Sequence, residues 1–422
     1  MGGISFTSYF GPNVTEGLAS IEKAESELNN IACLGYEDGD RVLWGGAKRK
    51  GKVWQQKAGT LAEWMAWCAR TWQKVSTEET AAPNITRDFL RPIRLKAAHD
   101  SHPIAVEWGE HAQMTYADQF VVFGSSPLPL YLVNLEVAAV GADGAIDIRV
   151  SSEETEAVYR LTISDKYQAG YSHEKISGPD VFFKKSSGVV VPLEEHLTID
   201  PLIVRYADGT YSYNCYHIPT NLNAGSFPAS RLESWSWKGI PLNRESMGKN
   251  RAKDTIQYQA FQQLQAEFDL VFNDDGSGEA ADLVCLKGVD ETTIRLCLVH
   301  CKNAHEGRVS QDIRNFYVLC GQAQKSVNIK HRGMVRLYHD LKRRHDLWMK
   351  QGGHSRFLKG DIKKLAYFKD KSRRAAVEFE VILAQPGASA SAPNEDALRL
   401  LATTELYLKK TASAGFRVIV SS

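Results

Sequence analysis

The hydrophobic pattern divides the chain into three stretches of different character. In the first, apolar residues recur at helical spacing in EGLASIEKAESELNN and in TLAEWMAWCARTWQKV, which predicts a helical N-terminal segment over residues 1–85. The basic run RVLWGGAKRKGKVW between them predicts a short hairpin or loop. In the second helix, we expect Trp64, Trp67 and Trp72 to lie in a core rather than on a base-stacking surface.

From about residue 90 to 240, short runs rich in β-branched and aromatic residues replace the helical pattern. These runs are QFVVFG, LYLVNLEVAAV, AIDIRV, AVYRLTIS, DVFFK, GVVVPL and LIVRYADGTYSYNCYHI. Turn signals such as GADGA and YADGTY separate them. We therefore predict a β-rich domain, a sandwich or barrel, over residues 86–244. No candidate site residue falls in this stretch.

From residue 245 onward, helix and strand patterns alternate. Helical periodicity is present in DTIQYQAFQQLQAEF, in SQDIRNFYVLCGQAQKSV with Ser310 as its cap, in a basic stretch at about 333–350, and in NEDALRLLATTELYLKK. Strands are predicted for DLVFND, ADLVCLKG, TIRLCLVHCK, AAVEFEVILAQP and FRVIVS. The pattern predicts a C-terminal α/β domain over residues 245–422, and an α+β multidomain protein as a whole.

Charge is unevenly distributed along the chain. The protein as a whole has a net charge of +1, but residues 321–380 hold 16 Lys and Arg against six Asp and Glu. This block is therefore at +10, and the rest of the chain is at −9. A basic block beside a candidate site favours a polyanionic partner, which we expect to be DNA. Within the block, we expect contacts to nucleic acid from Lys325, Arg332, Arg343 and Arg344.

Cysteine usage and hydropathy favour a cytoplasmic location without a membrane anchor. The seven cysteines contain no CxxC pair, which is typical of reduced intracellular thiols. No run of about 18 apolar residues is present, as a transmembrane helix would require. The N-terminus MGGISFTSYF lacks the basic and apolar regions of a signal peptide.

Candidate chemistry lies at the end of the apolar strand TIRLCLVHCK. Side chains alternate between the two faces of a strand, so His300 and Lys302 share a face. If the strand ADLVCLKG is its neighbour, Asp282 lies beside them. A carboxylate can hold Mg²⁺ through oxygen, and the ion can activate water against a phosphodiester. Lys302 would orient or activate that water and offset the developing negative charge.

Residues 254–330 resemble the PD-(D/E)xK nuclease superfamily, which has the restriction-endonuclease-like fold. The residues that carry the resemblance are Asp282, the run His300-Cys301-Lys302, and Gln322 with Lys325 in a QxxK pattern. The last 170 or so residues also look like a nuclease-like domain at the C-terminal end of helicase-type proteins of bacterial restriction and phage defence. The resemblance implies a metal-dependent endodeoxyribonuclease that uses Mg²⁺ or Mn²⁺.

The chain departs from the family pattern at His300, where an acidic residue is expected two positions before the lysine. Imidazole suits Mn²⁺ better than Mg²⁺. His300 would be a variant metal ligand or a proton carrier near neutral pH. The missing carboxylate would come from Glu279, or from Asp274 or Asp275. The expected metal ligands are thus Asp282, Glu279 and His300, and the expected catalytic residues are Asp282, His300, Lys302 and Gln322.

Three other motifs fit less well. The phospholipase D-type motif HxKxxxxD would need an Asp where Gly307 stands. The spacing of His300, Cys301 and His305 matches no standard zinc site. GGAKRKGK nearly spells a phosphate-binding loop, but Val53 replaces the hydroxyl that should reach Mg²⁺.

The sequence therefore predicts an endonuclease that cuts DNA in restriction or anti-phage defence. A helicase or ATPase partner and a homodimer are expectations from the family. The alternative is a catalytically degenerate subunit with a nuclease fold, which binds nucleic acid or a helicase partner. A catalytic domain needs Asp282 and Lys302 close together, whereas a binding module needs only the basic surface.

Overall fold

A computed structural model describes residues 30–37, 40–47, 52–56, 61–76, 93–109 and 119–422, the last range with gaps at 125, 153, 186, 214, 220–223 and 277. The chain divides into two compact units, Met1–Phe89 and Leu90–Ser422. The first predicted helix, up to residue 29, lies outside the described residues.

The N-terminal unit is not the helical segment that we predicted. Three strands, β1 (Asn30–Glu37), β2 (Asp40–Ala47) and β3 (Lys52–Gln56), form an antiparallel sheet in that order. The basic run between residues 47 and 52 therefore joins two paired strands, as the hairpin prediction had it. One helix, α1 (Leu61–Ser76), is confirmed. Trp64 and Trp72 of α1 are 59% and 72% exposed, so the expectation that they lie in a core is wrong.

The β-rich region is confirmed, and its described strands form three antiparallel sheets. The four-stranded sheets have the orders β11-β10-β9-β8 and β13-β12-β6-β7, and the five-stranded sheet has the order β4-β16-β15-β14-β5. The bounds are β4 (Ile93–Arg94), β5 (Pro103–Glu107), β6 (Phe120–Phe123), β7 (Ser126–Pro129), β8 (Asn134–Val140), β9 (Ile146–Ser151), β10 (Glu156–Ile163), β11 (Tyr171–Ser177), β12 (Val181–Lys184), β13 (Val190–Pro192), α2 (Leu193–Ile199), β14 (Ile203–Tyr206), β15 (Tyr211–Tyr213) and β16 (Tyr216–Ile218). Alternating apolar residues of these strands build one core, as in β9 and β10, where every second residue is buried.

The C-terminal region is built on a mixed seven-stranded sheet. Its order is β17-β23-β22-β20-β19-β18-β21, with parallel pairing from β17 to β20 and antiparallel pairing from β20 to β21. The bounds are β17 (Leu232–Trp235), α3 (Ile256–Leu264), β18 (Leu270–Asn273), β19 (Leu283–Asp290), β20 (Thr293–Cys301), α4 (Arg314–Lys350), β21 (Phe357–Lys359), α5 (Ile362–Lys371), β22 (Ala376–Ser389), α6 (Glu395–Ala412) and β23 (Gly415–Ser421). Strand β17 lies before residue 245, so the sheet reaches back beyond the boundary that we predicted.

Helices cover both faces of this sheet, which explains its long apolar strands. In β20, Leu296 and Leu298 pack in one core with α4, α5 and α6, whereas Cys297 and Val299 pack in another with α3. The predicted alternation of β20 side chains is therefore confirmed. It places His300 on the α4 face of the sheet.

Helix α4 connects the α/β region to the β-rich region. It begins at Arg314 rather than at Ser310, and the Asp312 carboxylate accepts the backbone N–H of Arg314 at 2.9 Å. Its path breaks at Gly333, whose φ of 77° is open to glycine without strain. At Gly321, a Cβ would lie 2.1 Å from the carbonyl oxygen of Ile104, so only glycine permits this close approach to β5.

No helix among the described residues is both long enough and apolar enough to cross a lipid bilayer.

Candidate functional site

Asp282 lies beside the end of β20, as predicted from the strand pattern. Strands β19 and β20 are antiparallel neighbours, with Leu283 opposite Val299. Just before β19, the Asp282 carboxylate accepts the backbone N–H of Cys301 at 2.7 Å and the side-chain amide of Gln257 at 2.6 Å. These two bonds hold the buried carboxylate in one orientation, with one hydrogen bond to each oxygen. A carboxylate oxygen has two lone pairs, so both oxygens can still accept another ligand.

Three carboxylates converge at this point. One oxygen each of Asp275, Glu279 and Asp282 lie within 4.8 Å of one another. Asp275 and Glu279 come from the loop between β18 and β19, and both are partly buried. This loop is short, so the three acids lie within eight positions of one another in the chain. Among the described residues, no Lys or Arg forms an ion pair with any of them.

Crowding of like charges away from water shifts Asp282 and Glu279 toward their protonated forms. Burial raises the pKa of Asp282 well above its ordinary value, and Asp275 and Glu245 add to the shift. Burial likewise raises the pKa of Glu279, with Asp282 and Asp275 as further causes. A bound cation would remove the cost of holding these carboxylates ionised together.

Two buried arginines hold the acidic loop in place. Arg344 donates to the Asp274 side chain at 2.5 Å and to the Asp274 backbone carbonyl at 2.6 Å. Arg356 donates to the backbone carbonyls of Asn273 and Asp275, both at 3.0 Å. The guanidinium groups thus neutralise Asp274 and fix the backbone of the loop, but leave the three clustered carboxylates to face one another.

Lys302 forms an ion pair that the sequence did not suggest. Its ammonium group donates to Glu245 at 3.0 Å, and the second oxygen of Glu245 accepts the backbone N–H of Asn303 at 2.9 Å. Burial would lower the pKa of Lys302, but Glu245, with Asp282 as a smaller influence, outweighs it and the pKa is raised. Lys302 is therefore a cation at neutral pH.

His300 is buried on the α4 face and is separate from the carboxylate cluster. Its Nε2 lies 2.7 Å from the hydroxyl of Ser326. Burial, with a smaller contribution from Lys325, lowers the pKa of His300 to about 3. A proton carrier near neutral pH needs a pKa near 7, so the structure does not fit that predicted role. Nor does His300 join the carboxylate group as a metal ligand, because that group contains only Asp275, Glu279 and Asp282 among the described residues.

Gln322 and Lys325 lie on one face of α4, as their spacing predicted, and both line a cavity. The Lys325 ammonium donates to the backbone carbonyl of Leu135 in β8 at 3.2 Å. Burial lowers the pKa of Lys325, partly offset by Glu107, Glu136 and Glu279. Lys325 therefore faces the β-rich region and not an open surface.

The same cavity joins most of the predicted site. It measures about 400 Å³, and Glu279, His300 and Lys302 line it together with Gln322 and Lys325. Its opposite wall is formed by β5 and β8 of the β-rich region. The β-rich region, in which the sequence suggested no site residue, thus supplies half of the lining.

The predicted nucleic-acid contacts fare differently from one another. Arg344 is 5% exposed and paired with Asp274, so its assignment to a DNA-binding surface is wrong. Arg343 lies 3.8 Å from Asp340 on the partly exposed side of α4. The side chain of Arg332 lies outside the described residues. The exposed cations after Arg344 in the basic block are Lys350, Lys359, Lys363, Arg373 and Arg374.

The donor set fits a hard divalent cation. Carboxylate oxygens are the ligands that Mg²⁺, Mn²⁺ and Ca²⁺ take in proteins, and the cluster offers three within 4.8 Å of one another. No group of three or more Cys or His with metal-ligand spacing occurs among the described residues, which leaves the zinc alternative without support.

Glu245 is the residue that sequence reasoning missed. It lies 57 positions before Lys302, in the loop ahead of α3, and matches no spacing motif. The remaining carboxylates were within reach of the sequence, because Asp275 and Glu279 lie just before a predicted strand that starts with Asp282.

The chain matches no protein-family model, no curated protein and no solved structure. The chemistry of the cluster and the cavity is therefore the basis on which a function can be proposed.

Proposed function

We propose that this protein is a metal-dependent endonuclease that hydrolyses DNA phosphodiesters. The observation that supports it best is the convergence of Asp275, Glu279 and Asp282 within 4.8 Å, at the edge of a cavity that also contains Lys302. A mixed sheet covered by helices on both faces, with the acid and the lysine at neighbouring strand ends, is compatible with the PD-(D/E)xK resemblance.

The three carboxylates would hold Mg²⁺ or Mn²⁺. When bound, the ion supplies an activated water and positive charge near the scissile phosphate. The role of Gln257 is to orient Asp282, since its amide occupies one lone pair of that carboxylate. The two buried arginines position the loop that presents the other two acids.

Lys302 would stabilise charge and not act as a base. Its raised pKa keeps the ammonium protonated at neutral pH, and a protonated group cannot accept a proton from water. A cation at this point can offset the negative charge that develops on a phosphodiester. Glu245 holds the ammonium in place while no substrate is bound.

DNA would reach the site over the basic surface that follows Gly333. Its exposed cations would contact the phosphate backbone and make binding sensitive to salt. By the same resemblance, we propose a role in restriction or anti-phage defence, with a helicase-type partner or a second copy of the chain in the active assembly.

A second candidate function rests on a specific observation. The acid expected before Lys302 is replaced by a neutral histidine, and the Lys302 ammonium is already paired with Glu245. Both features suit a nuclease fold that binds nucleic acid without cutting it.

The decisive experiment is plasmid cleavage with Mg²⁺, Mn²⁺ or EDTA, comparing wild type with Asp282→Asn. We expect cutting that requires metal, and a loss of about a thousand-fold in Asp282→Asn, because several kcal/mol of stabilisation by the ion is lost. Asp290→Asn is the matched control, since Asp290 ends the same strand at its exposed side and should leave cleavage unchanged. Retained DNA binding without cutting in any metal would favour the binding subunit, and cutting in EDTA would exclude the metal mechanism.

A further inference from the structure

The cavity beside the carboxylate cluster is lined by two walls of different origin. Strand β20 and helix α4 form one wall, and strands β5 and β8 form the other. Its volume of about 400 Å³ is within the range of small-ligand pockets, which is roughly 300–1,000 Å³. A DNA duplex, whose major groove alone is about 12 Å wide, cannot enter such a space.

The hydrogen-bonding state of His300 follows from its neighbour. Ser326 has one hydroxyl proton, and it donates that proton to the backbone carbonyl of Gln322 at 3.1 Å. In this arrangement the Ser326 oxygen accepts from His300, and from this hydrogen-bond network we assign the ring proton of the neutral imidazole to Nε2. Nδ1 is then an acceptor. It is buried, since His300 is only 2% exposed, and it has no hydrogen-bond partner among the described residues.

A second acceptor lies one helical turn from Ser326. The side-chain oxygen of Gln322 is also buried without a partner in the part of the chain that the structure describes. His300 and Gln322 both line the cavity. A buried acceptor without a donor is costly, so the cavity is matched to a ligand that brings N–H groups.

The cavity also offers cations for an anionic group. Lys302 and Lys325 line it, and Lys302 is the cation beside the carboxylate cluster. The lining also holds Arg149 and the carboxylates of Glu107, Glu136 and Glu279. An anion alone would leave the two acceptors unsatisfied, and an apolar ligand would leave the ammonium groups facing apolar atoms. A ligand with N–H donors at one end and a phosphate at the other satisfies both sets.

We propose that this cavity binds one unpaired nucleotide, with its base N–H groups donating to His300 Nδ1 and Gln322 and its phosphate beside Lys302. The inference rests on the proposed nuclease function and narrows its substrate. The scissile strand must be single at this position, either because the DNA is single-stranded or because one nucleotide leaves the duplex. His300, in place of an acid, then serves base recognition.

The first test is calorimetric titration of the full chain in Mn²⁺ with dAMP, dCMP, dGMP and dTMP, and with 2-deoxyribose 5-phosphate and inorganic phosphate. We expect at least one nucleotide to bind about tenfold or more tightly than deoxyribose phosphate, because the base donors satisfy buried acceptors. The analogue of that nucleotide with a dimethylated amino group, or with a methylated N3 if the nucleotide is dTMP, should lose this advantage. Equal affinity for the nucleotides and for phosphate alone would overturn the proposal.

Variants of the wall give a second test. His300→Phe keeps a ring but removes Nδ1, and should reduce nucleotide affinity toward that of deoxyribose phosphate while phosphate affinity is retained. Ser326→Ala keeps the imidazole but removes the hydroxyl that holds its ring proton on Nε2, so we expect a smaller loss of nucleotide affinity. Because both variants alter the protein interior, thermal melting of each variant accompanies its titration and shows whether it is folded. If a variant unfolds, the ligand series on the wild-type protein still tests the proposal. A folded His300→Phe protein with wild-type nucleotide affinity would contradict the assignment.

Cleavage assays separate this proposal from the proposed function. A labelled single strand and the same sequence as a closed hairpin duplex are offered in Mn²⁺, and we expect the single strand to be cut faster. If both substrates are cut at equal rates and binding does not depend on the base, the proposed nuclease activity is supported and the nucleotide pocket is contradicted. Base-dependent binding without any cutting would support the nucleotide pocket and contradict the proposed nuclease activity.

Discussion

Two neighbouring aspartates, Asp274 and Asp275, meet opposite surroundings in the same loop. Asp274 is 1% exposed and its charge is neutralised by the equally buried Arg344. Asp275 points to Glu279 and Asp282, with no ion pair to Lys or Arg among the described residues. The difference teaches which acids of this loop hold the structure and which remain available for a ligand. A buried charge with an arginine is satisfied, whereas crowded carboxylates without a cation are poised to take one.

Neutralising each aspartate in turn is the most direct test of this difference between Asp274 and Asp275. Asp274→Asn leaves Arg344 buried without its counter-charge, so we expect the free energy of unfolding to fall by about 3–5 kcal/mol. Asp275→Asn relieves repulsion within the cluster and should raise the metal-free stability, by up to about 1 kcal/mol. Denaturant unfolding in EDTA measures both. Changes of the same sign in the two variants would mean that the cluster is not under electrostatic strain.

Lys302 tests whether a cation beside the cluster assists chemistry. Lys302→Met keeps much of the side-chain volume but removes the charge, so we expect cleavage to fall by about 10²–10³-fold. Binding of metal by the carboxylates should persist. Lys287→Met, in the neighbouring strand β19, is the matched control and should cut at the wild-type rate. A Lys302→Met protein with full activity would leave Glu245 and Lys302 as a structural pair only.

The pH dependence of metal binding sharpens the comparison further. The raised pKa values of Asp282 and Glu279 mean that the folded state holds protons there that the unfolded chain releases. Without metal, their contribution to stability is present at low pH and is lost as the pH rises through the raised pKa values. Metal needs the ionised carboxylates, so its stabilising effect grows with pH.

Thermal melting with and without Mn²⁺ measures this effect. The stabilisation should be larger at about pH 8 than at about pH 6, and should reach about 2.7 kcal/mol at a hundred times the Kd. His300 acts in the opposite sense. Its pKa of about 3 lies below the ordinary value for histidine, so its contribution to stability is lost as the pH falls from that ordinary value toward 3. Its contribution cancels in the difference between metal and EDTA at each pH. A Mn²⁺ effect that is independent of pH, or that survives in Asp275→Asn, would argue against the cluster as the metal site.

The smallest effect is expected at the surface. Arg373→Ala should weaken DNA binding only a few-fold and lower the slope of affinity against salt by about one. Lys166→Ala, an exposed lysine of the β-rich region, is the control and should change neither quantity. Anisotropy titrations over a range of salt concentrations compare the two. Equal effects of both substitutions would show that the basic block has no special part in binding.

Much of the α/β region could be predicted from the sequence, because local patterns set its elements. The strands that hold Asp282 and His300 have apolar runs bounded by turns, and their antiparallel pairing put both residues at one end of the sheet. Strand β1 was missed because the helical pattern that precedes it dominated the prediction. Glu245 was missed because its partner Lys302 is 57 positions away, and no local signal marks such a pair.

Arg344 shows the limit of reading charge from sequence. It lies in a basic run that favours a solvated surface, yet helix α4 turns this one guanidinium inward to Asp274. The sequence cannot distinguish it from Arg343, the adjacent residue, which lies on the partly exposed side of the helix. The helical phase relative to the core decides which of two neighbouring arginines is buried.

The sequence by itself determined the alternation of helices and strands in the C-terminal region, the face of β20 that presents His300, and the position of Asp282 beside it. These follow from periodicities of two and 3.6 residues, which act over a few positions of the chain. Three features depend on tertiary packing: the arrangement of the carboxylates within 4.8 Å, the pair of Glu245 and Lys302, and the cavity that the β-rich region lines over His300. The carboxylates are neighbours in the chain, but Arg344 and Arg356 hold their loop from about 70 to 80 positions away. The other two features join residues far apart in the chain, so the packing of one region against another sets their distances.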